Sequence, residues 1–172
     1  MFRAFIIGIV FTLIVEAAVG YAILTNGKVP VSARSGPIFG EAWAARTDQH
    51  AVFDREAPKG PNPVALNDTN LIAGIQLYAQ HCVVCHGTAK GDAAEGPIAK
   101  GEYPHPPQLA SDGVEDDSEG VTYWKIDNGI RWTGMPAWHG TLSDQEIWTL
   151  ALFLKHMDHL PPAAQQAWQA VR

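Results

Sequence analysis

Cysteine is nearly absent from this chain: Cys82 and Cys85 are the only two, and they fall within one stretch of four residues. Two thiols cannot build a disulfide framework, so cross-links are not what holds the fold. Clustered Lys and Arg are missing too. Twelve basic against eighteen acidic residues give a formal net charge of -6, which excludes a surface built to neutralise nucleic-acid phosphates. The mild acidity permits docking on a basic partner, although its commonest role is solubility. Beyond residue 67 no stretch alternates with the period of two that a strand requires. No internal repeat or low-complexity tract is present, and the compact part of the chain reads as all-α.

Charge is missing altogether from most of the N-terminus. From Ala4 to Leu24 the only side chain that would be charged is Glu16. As a helix this span would rise about 31 Å, against a hydrocarbon core of about 30 Å. A cleaved signal peptide is the rival reading, with Ala4 to Val15 as its apolar core and a cut near "EAAVGYA". The apolar sequence runs on through Ile23 and Leu24 without a clear A-x-A site, so residues 1–25 are taken as an uncleaved transmembrane anchor. Arg3 before the span and Lys28 and Arg34 after it leave its orientation open. Glu16 is costly in lipid and implies a protein interior or partner beside it, unless it is simply protonated in a tilted helix.

Gly and Pro punctuate residues 26–67, as in "NGKVPVSARSGPIFG" and "EAPKGPNPVALND", and disfavour regular elements there. "EAWAARTDQHAVFDREA" between them predicts one short helix within an extended tether. A domain over residues 68–160 follows. Asn67 or Asp68 can cap a helix in which Leu71, Ile72, Ile75 and Tyr78 recur at helical spacing, with Gly74 marking close approach of another backbone. "TLSDQEIWTLALFLKHM" predicts a second helix, with Ser143 and Glu146 as a capping box and Ile147, Leu150, Ala151 and Leu154 as its apolar stripe. "EGVTYWKIDNG" predicts a short helix ending at Gly129. Residues 161–172 form a tail helix opened by Pro162, in which Trp168 needs a packing partner.

The remaining question is why both cysteines stand in "CVVCH". Half a zinc site would need a second ligand pair, and none with suitable spacing exists except His156 and His159, which lie at a helix end. A redox dithiol would want a βαβ context. Covalent haem attachment uses every member of the motif: Cys82 and Cys85 as thioethers to two vinyl groups and His86 as the proximal iron ligand. Met135 in "TGMPAW" offers a soft thioether on a loop rather than on a helical face, so it reads as the sixth ligand and not as core filler. His139 is the alternative.

Gly74, Tyr78, Cys82, Cys85, His86, Met135, Trp138, Leu150 and Phe153 together resemble a class I (mitochondrial-like) cytochrome c domain over about Asp68 to His159. The resemblance implies a small helical bundle in which the first and last helices cross at Gly74, with Leu150 and Phe153 against Tyr78. It also implies one covalent haem c and a proline carbonyl, of Pro97, Pro106 or Pro107, holding the proximal histidine. Tyr103, Trp124, Arg131 and Trp132 become candidates for the haem wall or propionates, and equally for plain packing. The expected function is one-electron transfer by a single-pass protein of the bacterial inner membrane with its haem domain in the periplasm. Redox partner proteins are implied, and "DGVEDDSEG" is a candidate surface for steering a basic one. Two alternatives stay open: a permanent subunit of a larger membrane oxidoreductase or oxidase, and a haem enzyme or gas sensor whose Met135 dissociates.

Overall fold

The computed structural model describes residues 2–92 and 96–172, so Met1 of the expected anchor lies outside the described residues. The chain is divided into two compact units, Met1–Ala44 and Ala45–Arg172. All regular structure among the described residues is helical, and the single bridge pair, His139 with Leu142, belongs to no strand.

In the first unit, α1 (Phe2–Thr25) buries none of its residues against protein, and it is long and apolar enough to cross a membrane. Its two threonine hydroxyls donate back to helix carbonyls, Thr12 to Gly8 at 3.0 Å and Thr25 to Tyr21 at 2.9 Å. These two hydroxyls are thereby satisfied within the helix itself. Gly27, at φ 63°, ends the helix while Lys28 N–H donates to the Ile23 carbonyl at 3.1 Å.

The second helix, α2 (Glu41–Glu56), has buried Phe53 near its end, edge-on to Trp124 at 5.3 Å, with the Lys125 ammonium 4.9 Å from the Phe53 centroid. The irregular chain after α2 is fastened as well. Asn62 donates to the Trp148 carbonyl and to Glu119, each at 3.0 Å, and the Pro58 carbonyl rests against Gly120, where no Cβ would fit.

The core lies between α3 (Asp68–His81) and α6 (Asp144–Lys155). Asn67 caps α3 by accepting from Asn70 N–H at 2.9 Å. Leu71, Gly74, Ile75 and Tyr78, at helical spacing, form its buried face, which meets the apolar stripe of α6. The helices cross at Gly74: a Cβ there would stand 2.6 Å from both Phe153 Cβ and the Thr149 carbonyl oxygen. The C-terminal α7 (Pro162–Gln169) packs inward, and Trp168 meets Tyr78 and Phe153 edge-on, each at 5.2 Å. Three aromatic rings thus fill the centre, each contact adding to plain burial. The short helix α4 (Val83–His86) follows α3 directly, and α5 (Glu119–Asn128), capped by Ser118, packs on α6.

At the start of α6, Ser143 Oγ accepts from Glu146 N–H, and the Glu146 carboxylate accepts from Ser143 N–H at 2.8 Å, completing the expected capping box. Replacing Ser143 by alanine is expected to cost about 1 kcal/mol of stability in denaturant titration, with unchanged visible absorption.

Candidate functional site

The backbone turn between α3 and α4 is built by Cys85 N–H and His86 N–H, which both donate to the Cys82 carbonyl at 3.1 and 2.9 Å. Two thiols and an imidazole are therefore presented from one turn. Tyr78, buried, donates its hydroxyl to the Gly87 carbonyl at 2.8 Å and so ties the end of this turn to the core. Cys82 and Cys85 are free thiols. Burial pushes the Cys82 thiol up to about 12, with Cys85 beside it adding to the rise. Burial also raises Cys85, and the Glu102 carboxylate adds to that. Both are thus held as thiols, unlike the low-pKa thiolate of a dithiol redox motif. Among the described residues no three His, Cys, Asp or Glu side chains gather to hold a metal ion.

His86 Nδ1 lies 2.9 Å from the Pro107 carbonyl oxygen. A carbonyl can only accept, so Nδ1 carries the proton and the Nε2 lone pair is left for a ligand. Burial lowers the His86 pKa, and the Pro107 bond opposes that fall; the net direction favours the neutral imidazole that iron ligation needs. Of the three candidate prolines, the structure places Pro107 at this position.

Met135 approaches from the loop between α5 and α6. It is half-buried and packs on the same core cluster as Cys82. Trp138 N–H donates to the Ile126 carbonyl and His139 N–H to the Asp127 carbonyl, both at 3.0 Å, so the loop's end is fastened to α5. Its beginning folds back through Ile130 N–H to the Met135 carbonyl at 3.2 Å. Gly129, at φ 66°, is the hinge: a Cβ there would lie 2.5 Å from Ala137 N. Trp138 itself stands 5.0 Å from His81 of α3, ring to ring.

Sequence reasoning missed Glu102. Its carboxylate lies 3.9 Å from Cys85 Sγ and directly against Gly134, where a Cβ would collide with it. It therefore joins the cysteine turn to the methionine loop. No periodicity or motif singles it out within "GPIAKGEYPHPPQL"; only the folded loop does. The wall candidates separate: Trp124 faces Phe53, whereas Trp132, at φ 66°, is 88% exposed.

The His139 imidazole, the alternative to Met135, binds Asp127 instead, Nδ1 to Oδ1 at 2.9 Å. That hydrogen bond, and the charge behind it, raises the His139 pKa above its ordinary value. Because the folded value is the higher one, the pair stabilises the fold fully below about pH 6.5 and is lost as pH rises through the raised value. The melting temperature of the haem-loaded protein should therefore show a small fall with rising pH in this range, which Asp127→Asn abolishes.

An all-helical domain with a thiol pair, an oriented histidine and a methionine loop packed on one core is the arrangement of a c-type cytochrome, the class that carries covalently bound haem c and transfers electrons. Residues 69–154, half of the sequence, match the family described as cytochrome c oxidase, cbb3-type, subunit III, and the chain belongs to that family. No curated protein matches it. Among solved structures, the reducing HAO-like protein complex of Kuenenia stuttgartiensis is similar over 60% of this chain and 52% of that one, with 22% identity and a TM-score of 0.43. The match thus spans about half the length of the chain it meets in that complex.

Proposed function

We propose that this protein is a membrane-anchored class I cytochrome with a single haem c, passing one electron at a time between partner proteins. Cys82 and Cys85 would hold the haem through thioethers, and His86 and Met135 would bind its iron. The observation that carries this reading is the His86–Pro107 hydrogen bond, which leaves one imidazole nitrogen for iron on the turn that also bears two half-buried thiols. Haem supplies a one-electron couple at iron. The chain's residues do the rest. His86 holds its proton on Nδ1, Met135 would offer its thioether sulfur to the iron, and the helix pair α3–α6 keeps water from the interior. The haem domain, residues 68–160, is periplasmic and α1 spans the bacterial inner membrane with its N-terminus inside, since haem is joined to such motifs outside the cytoplasm.

Mass spectrometry of the denatured chain is the direct test. The expected result is an increase equal to one haem, lost in Cys82→Ser/Cys85→Ser; an unmodified mass rules the proposal out. Protease treatment of spheroplasts should cut the haem domain and spare α1.

A second reading is a fixed subunit of a membrane oxidase complex. The family description names a subunit, and Glu16 in an apolar helix calls for a partner. Mild-detergent purification separates the two: a lone chain supports the shuttle, and co-elution with integral subunits supports the complex. Steering of a basic partner by the acidic segment gains less support, because Asp117 is engaged by Lys125 at 2.5 Å and Asp112 by Gln108 N–H at 2.5 Å.

A further inference from the structure

Between α1 and the body of α2 the protein leaves four large apolar side chains on its surface. Val31 is 98% exposed, Ile38 45%, Phe39 fully and Trp43 74%. They belong to the unit Met1–Ala44, which also contains α1, and the first of them, Val31, stands six residues beyond the end of that helix. A spacer that simply crosses water has no use for such residues, whose exposure invites association. The charges in the run point the same way. Asn26 to Gly40 holds Lys28 and Arg34 and no acid, in a chain whose net charge is -6.

Local bonding shapes the run while Val31, Ile38 and Phe39 stay exposed. Ser35 N–H donates to the Ser32 carbonyl at 2.9 Å and Arg34 N–H to Ser32 Oγ at 3.2 Å. The first acid, Glu41, accepts from Ile38 N–H at 2.9 Å, so its carboxylate is turned onto the backbone at the corner bearing Ile38 and Phe39. Backbone donors are satisfied in part and the one negative charge is occupied, which lowers the cost of bringing this corner to an apolar boundary.

We propose that residues 28–43 form a strap lying in the headgroup–acyl boundary of the bilayer that α1 crosses. Val31, Ile38, Phe39 and Trp43 enter the boundary while Lys28 and Arg34 engage lipid phosphates. The strap rests on the membrane-spanning reading of α1. Aromatic rings at the edge of a span and cations whose stems lie along it are the mark of a lipid interface. The centre of a protein–protein interface is instead depleted in Lys, and here cations alternate with the apolar positions. The strap differs from a free tether in one measurable way: its side chains have a depth.

Depth can be read in the haem-loaded full chain by placing a nitroxide on single cysteines at positions 11, 31, 39 and 166, in phosphatidylcholine–phosphatidylglycerol vesicles. The oxygen-to-nickel-chelate accessibility ratio is expected to be highest at 11. At 31 and 39 it should exceed that at exposed Gln166 by roughly fivefold. Two replaced positions guard against one label disturbing the chain. If position 11 is lipid-like and both 31 and 39 match 166, the strap is overturned and the span stands. If position 11 also matches 166, the span fails and the strap falls with it. If 31 and 39 are shielded only in native membranes and not in vesicles, a protein covers the run and the lipid assignment is overturned.

Discussion

Met135→Ala should keep its haem through denaturation and lose its high reduction potential. The two properties separate because the proposed attachment is through Cys82 and Cys85, while the methionine sulfur is proposed only as an iron ligand. A thioether favours reduced iron, and axial ligands command a span of about 0.8 V across haem proteins, so a fall of a few tenths of a volt is expected. At about 59 mV per tenfold change for one electron, a fall of about 0.2 V shifts the preference for oxidised over reduced iron by roughly a thousandfold. The loop is not expected to collapse. Its closing bonds, Ile130 N–H to the Met135 carbonyl and Trp138 N–H to the Ile126 carbonyl, are between backbone atoms that alanine retains. The oxidised variant should lose its methionine–iron charge-transfer band, and the reduced variant should bind carbon monoxide. His139→Ala is the control: its ring is engaged with Asp127, so its potential should stay near the parent's. A Met135→Ala protein that titrates like the parent would show that the sulfur is not a ligand. Carbon monoxide binding by the unaltered reduced protein at neutral pH would instead favour a sensor or enzyme whose methionine dissociates.

What the sequence disclosed and what it withheld divide along the range of the forces involved. Asn67 and Ser143 announce helix starts because a cap acts within three residues, and both caps are present at the expected atoms. Gly74 announces a crossing because a glycine inside a helix carries a cost that needs a reason, and the reason is Thr149 and Phe153. The cysteine–histidine turn is equally local. By contrast, the partner of His86 lies twenty-one residues away across an irregular loop, and three prolines were equally eligible until the path of that loop was known. Glu102 is reached by the same loop and carries no signature of its own. The segment after α2 shows a further limit. Gly and Pro near Pro58 and Asn62 forecast irregular backbone, yet irregular backbone can still pack, and Asn62 is bound to Trp148 while the Pro58 carbonyl lies on Gly120. Trp168 was legible as a ring in need of burial, but not as the third member of a cluster with Tyr78 and Phe153.

Gly74→Val should be among the most destabilising single changes in the haem domain. Helix propensity alone argues the other way for the smaller variant, since alanine gains about 1 kcal/mol over glycine in a helix interior. Packing decides against it. A Cβ at position 74 would sit 2.6 Å from Phe153 Cβ and from the Thr149 carbonyl oxygen, where ordinary contact begins at 3.4 Å. Neither neighbour can swing aside, because one is main chain and the other is fixed to it, so α3 and α6 must move apart. That movement opens the contacts of Tyr78, Leu150 and Phe153, all at 0% exposure, and every cubic ångström of void left costs about 24 cal/mol. A net loss of about 2 kcal/mol is expected for Gly74→Ala and about 4 kcal/mol for Gly74→Val, against the 5–15 kcal/mol typical of a whole domain. Gly101 has nothing within 4 Å of its position and an ordinary backbone angle, so Gly101→Ala should stay within about 0.5 kcal/mol of the parent. Guanidinium titration of the three haem-loaded variants gives the ranking. An alanine at 74 that stabilises the protein would mean that the two helices do not meet backbone to backbone there, and the core between α3 and α6 would then need a different frame.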